Sequence, residues 1–104
     1  MLNLTGLSAR SRDIADLSGI ENCSNLRELY LSGNQISDTS PVAGLTNLTY
    51  LDLTYNQISD ISPVVDNLGI GAGDSVYLQS NPLSGDSINI YITILTSRGL
   101  SVYY

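Results

Sequence analysis

Residues 26–41 read LRELYLSGNQISDTSP and residues 48–63 read LTYLDLTYNQISDISP. The two segments match at an offset of 22: Leu26 with Leu48, Leu29 with Leu51, Leu31 with Leu53, Asn34 with Asn56, Ile36 with Ile58, Asp38 with Asp60 and Pro41 with Pro63. A unit this short cannot bury its apolar residues alone. Successive units must stack and share a core, which commits the chain to a solenoid of about three or more coils. In each unit Leu-x-Leu alternation gives a short strand, with the leucines inward and their neighbours outward. The asparagine after it sits at a turn, where its amide can bond backbone groups left over by the bend.

The rest of the chain extends the frame in both directions. Upstream, Leu4, Leu7 and Ala9 take the three strand positions of a degenerate first unit, with Arg12 where asparagine is expected. Ile14 and Ile20 match Ile36 and Val42, and Cys23 matches Leu45 as a small buried hydrophobe. Downstream, Val76, Leu78, Asn81 and Leu83 repeat the pattern at an offset of 25. The three extra residues fall within 66–75, where Gly69, Gly71 and Gly73 mark a bulge in the connection. No lysine and no GxxxxGK[ST] pattern accompanies them, so this is not a phosphate loop.

Ser40-Pro41 and Ser62-Pro63 predict single helical turns, 3₁₀ in character, with serine as N-cap. Asp16, Asp38 and Asp60 precede these turns in register. They lack the further oxygen ligands that calcium needs and read as turn caps. The last stretch changes period. Ile88, Tyr91, Ile92 and Leu95 share one helical face between Ser84 or Asp86 as N-cap and Gly99 as the left-handed residue past the end. Leu100-Ser101-Val102 then restores a strand. Ile90 and Ile94 lie off the buried face and either widen it or form an outer apolar patch.

The chain is a single domain of 104 residues: a degenerate first unit at 1–25, regular units at 26–83 and a C-terminal cap at 84–104. Its net charge of −6, with no lysine and no histidine, argues against nucleic acid and anionic membrane as partners. No apolar run is long enough to span a bilayer. One cysteine permits no internal disulfide. No reactive-cysteine context and no paired carboxylates stand out, so the chain reads as a non-enzyme. No catalytic, cofactor-binding or metal-binding residue is assigned.

The 22-residue period, the ISDISPV phrase at Ile58–Val64 and the turn asparagine resemble the leucine-rich repeats of bacterial internalins. Residues 81–104 resemble the terminal cap of surface proteins of that type. The resemblance covers the chain from Leu4. It implies an α/β leucine-rich repeat solenoid: a curved, parallel concave sheet, short 3₁₀ turns on the convex side, and a capping helix and strand. It further implies a protein partner bound on the concave sheet, and an extracellular or cell-surface location. Members of the family are usually longer and carry an N-terminal cap, which this chain does not show.

On that fold the outward strand positions form three columns. The first holds Gly6, Glu28, Tyr50, Ser75 and Gly99, the middle Ser8, Tyr30, Asp52, Tyr77 and Ser101, and the third Arg10, Ser32, Thr54, Gln79 and Tyr103. The candidate partner-binding residues are Glu28, Tyr30, Tyr50, Asp52, Thr54, Tyr77, Gln79 and Tyr103, with Tyr55 bordering them. Tyrosine brings a stiff, large contact area with a polar tip, and the two acids suit arginine or lysine on a ligand. The same tyrosines would also stabilise the sheet through cross-strand pairs. The alternative reading is a structural or self-associating repeat module, truncated or engineered from a longer surface protein, that associates through a bare N-terminal edge at Met1, Leu2, Leu4 and Leu7.

Overall fold

A computed structural model describes residues 3–104; Met1 and Leu2 of the proposed N-terminal edge lie outside the described residues. Five three-residue strands make one parallel sheet in chain order: β1 Gly6–Ser8, β2 Glu28–Tyr30, β3 Tyr50–Asp52, β4 Ser75–Tyr77 and β5 Ser101–Tyr103. The register follows the repeat. Leu7, Leu29, Leu51, Val76 and Val102 face one another across all five strands and point into the core.

The last strand departs from expectation by two residues. Ser101, not Gly99, joins the Gly6–Glu28–Tyr50–Ser75 column, and Tyr103, not Ser101, joins the middle one. The cause lies in the helix end. Gly99 adopts a left-handed conformation with φ 86° and donates to the Thr96 carbonyl. It is consumed by the helix cap, so the strand starts beyond it.

The return legs run over the convex side. The first two contain single 3₁₀ turns, Ile20–Asn22 and Ser40–Val42. The third, α1, is a short α-helix over Ser62–Asp66. Proline sits near the start of the second and third, but serine is not the cap that the sequence suggests. The capping acceptor is the aspartate two residues earlier. Asp16, Asp38 and Asp60 each accept the backbone N–H of Ser18, Ser40 and Ser62 at 2.8–2.9 Å. The serine hydroxyls of the first two also donate to the carboxylate, so the turn-capping reading of the aspartates is the one the structure supports.

The core is a set of columns, one residue per coil. Leu26 stacks with Leu48, and Leu31 with Leu53 and Leu78, all at most 1 % exposed. Cys23 is fully buried with Leu45 and Ile70 in its column, as a small hydrophobe should be. Each fully buried leucine or isoleucine contributes about 1.5–3 kcal/mol relative to exposure. The columns therefore hold the coils together more than the short strands do.

Polar side chains tie each coil to the one before it. Asn34 Oδ1 accepts the N–H groups of Arg12 and Ile14, and its Nδ2 donates to the carbonyls of Ala9 and Leu31. Asn56 and Asn81 repeat the arrangement one coil further on. Asn67 does the same on the convex side, donating to Val42 and Leu45 and accepting from Gly69. The three-residue insertion turns on this buried asparagine.

The cap helix begins as expected at Ser84, whose Oγ accepts the Ser87 N–H. Its first turn is different. Ser87–Tyr91 is wound as a π turn before the α-helix α2, Ile92–Ser97. The extra residue per turn moves Ile88 out to 41 % exposure and brings Ser87 into the core. There Ser87 Oγ donates to the Ser59 carbonyl at 2.7 Å and accepts the Ile61 N–H. Ile90 and Ile94 take the second of their two alternatives and stay outside with Ile88. Among the described residues no helix is long and apolar enough to cross a membrane.

Candidate binding face

Alternation along each strand puts every second side chain on the concave side, where no convex leg packs. Parallel strands lie about 4.8 Å apart, so long side chains in neighbouring coils must touch. Tyr30 on β2, Tyr50 on β3 and Tyr77 on β4 do so, with ring centroids 5.1 Å apart at each step. Tyr103 on β5 continues the series, stacked on Tyr77 at 4.7 Å and 10°. That contact depends on the two-residue change of register, which places Tyr103 directly opposite Tyr77. The guanidinium of Arg10 completes the series at the other end, 4.5 Å from the centre of the Tyr30 ring. An arginine and four tyrosines thus cross the whole sheet as one ladder.

Tyr50 comes from the first column and its partners from the middle one, so its ring leans diagonally between Tyr30 and Tyr77. Burial in that position raises the Tyr50 phenol above its ordinary value. The neighbouring Tyr77 hydroxyl, the Asp52 carboxylate and Tyr30 push in the same direction.

The remaining candidates flank the ladder. Asp52 lies between Tyr30 and Tyr77 in the strand register, but its carboxylate turns toward Thr54. Oδ1 accepts the Thr54 N–H at 3.0 Å and the Thr54 hydroxyl at 2.8 Å. Thr54 Oγ1 is also 2.9 Å from Ser32 Oγ. These three residues make a polar strip beside the rings. Gln79 is exposed on that side, and Glu28 is exposed in the first column on the other. Tyr55 is 66 % exposed with a left-handed φ of 56°, beyond the strand. It takes no part in the ring contacts of the ladder.

Of the candidates named from sequence, the structure brings Tyr30, Tyr50, Tyr77 and Tyr103 into one series and sets Asp52 against Thr54. The sequence misses Arg10 as the end of the ladder and Ser32 as part of the polar strip. Both stand in the third column, and the signal for Arg10 was its place one coil before Ser32, diagonal to Tyr30. Arg10 Nη1 donates to Ser8 Oγ at 3.1 Å, which holds the guanidinium over the ring.

Asp52 is a hydrogen-bonded carboxylate, and among the described residues no group of three or more acidic, histidine or cysteine side chains is placed to hold a metal.

Comparisons with known proteins agree with this architecture. The Leucine Rich repeats (2 copies) family matches residues 2–44 and again 24–66. No curated protein sequence matches the chain. Among solved structures, an internalin, InlF, from Listeria monocytogenes is 33 % identical with a TM-score of 0.76, covering 90 % of this chain and 27 % of that one. Internalin C2 from the same species is 30 % identical with a TM-score of 0.68, over 88 % of this chain and 37 % of its own. The functional domain of InlJ, which includes a cysteine ladder, is 30 % identical with a TM-score of 0.56, over 80 % and 20 %. The chain thus spans about a fifth to a little over a third of these relatives. With two overlapping repeat matches and internalin coils following its path over most of its length, the chain belongs to the leucine-rich repeat family and its repeats are of the internalin type.

Proposed function

We propose that the chain is a protein-binding scaffold that meets its partner with the concave face, through the tyrosine ladder and the acids beside it. The observation that carries this reading is the ladder itself. Four tyrosines, all on the solvent side of the sheet, give a rigid aromatic surface with polar tips, the composition of a recognition face. The neighbours in the outward columns, Gly6, Ser8, Ser75 and Ser101, are small. The internalin relationship supports an extracellular or cell-surface setting for such a face.

The test is a selection of displayed domains and peptides on the immobilised chain, followed by titration of the ligands obtained. Tyr30→Ala and Tyr77→Ala should each weaken binding by about 2 kcal/mol or more, the range of an aromatic hot spot, while the fold survives. Ligands indifferent to both substitutions would move the site elsewhere.

A second reading, self-association, is favoured by a different observation. On the outer side of the first described coil, Leu7, Ala9, Ile14, Leu17, Ile20 and Leu31 line a hollow of about 360 Å³. The matching positions of the next coil, Leu29, Leu31, Ile36, Thr39 and Val42, are covered and at most 1 % exposed. Light scattering during size exclusion distinguishes the two: a dimer that Leu7→Glu returns to monomer supports the second, and a monomer at high concentration removes it.

A further inference from the structure

The ladder constrains the kind of partner, and this step rests on the reading that the concave face binds protein. We infer that the face takes an extended, proline-rich segment in polyproline II conformation with arginine or lysine at its flank.

Between Tyr30 and Tyr103 the ring faces that meet a neighbour are already taken. Centroids 4.7–5.1 Å apart leave no room for a flat group between rings, since inserting one needs about 7 Å, two carbon contacts of about 3.5 Å. The outer face of Tyr30 is under Arg10. Stacking of a sugar, a base or a second guanidinium within the series is therefore excluded. Along the series, short of the outer face of Tyr103, what remains for a ligand is a ridge of ring edges and phenol hydroxyls.

Hydroxyls in a desolvated contact need acceptors. An α-helix has bonded its own carbonyls and offers none from its backbone. A polyproline II segment makes no internal hydrogen bonds, so every carbonyl is open. Its repeat also fits. Three residues at a rise of about 3.1 Å return the same face every 9 Å or so, and Tyr30 and Tyr77, in one column two strands apart, stand about 9.6 Å apart at the strand spacing. Carbonyls one turn apart thus meet Tyr30 and Tyr77, which share one column. A β-segment, with a two-residue repeat of about 6.6 Å, falls out of step at once.

Charge fixes the flank. Glu28 on one side and Asp52 on the other are the acids of the face, in a chain of net charge −6. Asp52 is held in place through Oδ1. A basic side chain flanking the segment beside Tyr50 is drawn to this pair, and the Arg10 guanidinium beyond Tyr30 keeps it from the outer end of the ladder.

The whole chain is titrated, by fluorescence anisotropy, with an oligoproline peptide carrying flanking arginines and with a control in which glycine and serine replace the prolines. The oligoproline should bind at least about tenfold more tightly. Tyr30→Phe and Tyr77→Phe, which keep the rings and remove the hydroxyls, should each lower its affinity by about tenfold, the scale of one hydrogen bond, with the fold intact by circular dichroism. Asp52→Asn, which keeps the acceptor for Thr54, should weaken binding and flatten its salt dependence. Equal affinity for the two peptides, no binding of either, or indifference to both Phe substitutions overturns the inference. The broader reading is judged separately. A ligand of another kind that is lost with Tyr30→Ala and Tyr77→Ala keeps the concave face as the site while the proline-rich partner falls. Ligands untouched by those alanines remove both.

Discussion

Asn56 uses both ends of its amide on backbone groups: Oδ1 takes the Ile36 N–H at 3.1 Å, and Nδ2 donates to Leu31 and Leu53 at 3.0 Å each. Alanine in its place would strand the buried Ile36 N–H at the joint between two coils and take one of two donors from each of the Leu31 and Leu53 carbonyls, which keep Asn34 and Asn81. The expected loss is about 2–4 kcal/mol, read as a lower urea midpoint at constant m-value. Thr39 is the opposite case. It occupies the core column of Leu17 and Ile61, is 1 % exposed, and its hydroxyl has no hydrogen-bond partner. Thr39→Val keeps the shape and removes the orphan, so it should stabilise by about 1 kcal/mol in the same assay. The sequence showed Thr39 standing in register with Leu17. It did not show that the hydroxyl would find nothing there, because that depends on every neighbour at once.

At the scale of elements, close approach and charge decide. Where the third convex leg passes the second, a Cβ on Gly69 would stand 2.1 Å from the Thr46 carbonyl oxygen. Gly69→Ala must push backbone apart and should cost about 1–3 kcal/mol in unfolding free energy, the range for overpacking. The convex caps respond to acid. Hydrogen bonds from the Ser18 side chain and backbone lower the Asp16 value, and Ser40 does the same for Asp38. Folding thus favours the charged carboxylates. That contribution is complete above the ordinary carboxylate value, about 4, and is lost as pH falls through the lowered folded values. Asp38→Asn should flatten the acid limb of a plot of thermal midpoint against pH. Tyr50 works at the other end of the scale. Its raised phenol means that folding favours the neutral form, a contribution present below about pH 10 and lost as pH rises through the folded value. Tyr50→Phe should flatten the alkaline limb, with tyrosinate absorbance reporting one late-titrating group fewer.

For the whole molecule, what the sequence revealed and what it hid follow from one distinction. Apolar spacing at a fixed period specifies which residues stack, and so the five-strand order and the core columns were readable from Leu26, Leu29, Leu31 and their copies. Local winding is not periodic. The π turn at Ser87–Tyr91 exchanged Ile88 for Ser87 in the core, and the glycine at position 99 delayed the last strand by two residues. Both events lie in the cap, the one part of the chain with no second copy to compare. The candidate face was legible as four tyrosines, Tyr103 among them. That Tyr103 would stack on Tyr77 was not, because it hung on that register.

The asparagine ties all reach in one direction, from each coil to the one before it. Residues 34–55 therefore form a transferable cassette, carrying one complete tie, one strand and one ring. Duplicating that cassette would leave every joint chemically complete and lengthen the aromatic series by one rung, about 5 Å, set by the strand spacing. The reach of the recognition surface is then governed by copy number, with no new sequence to invent.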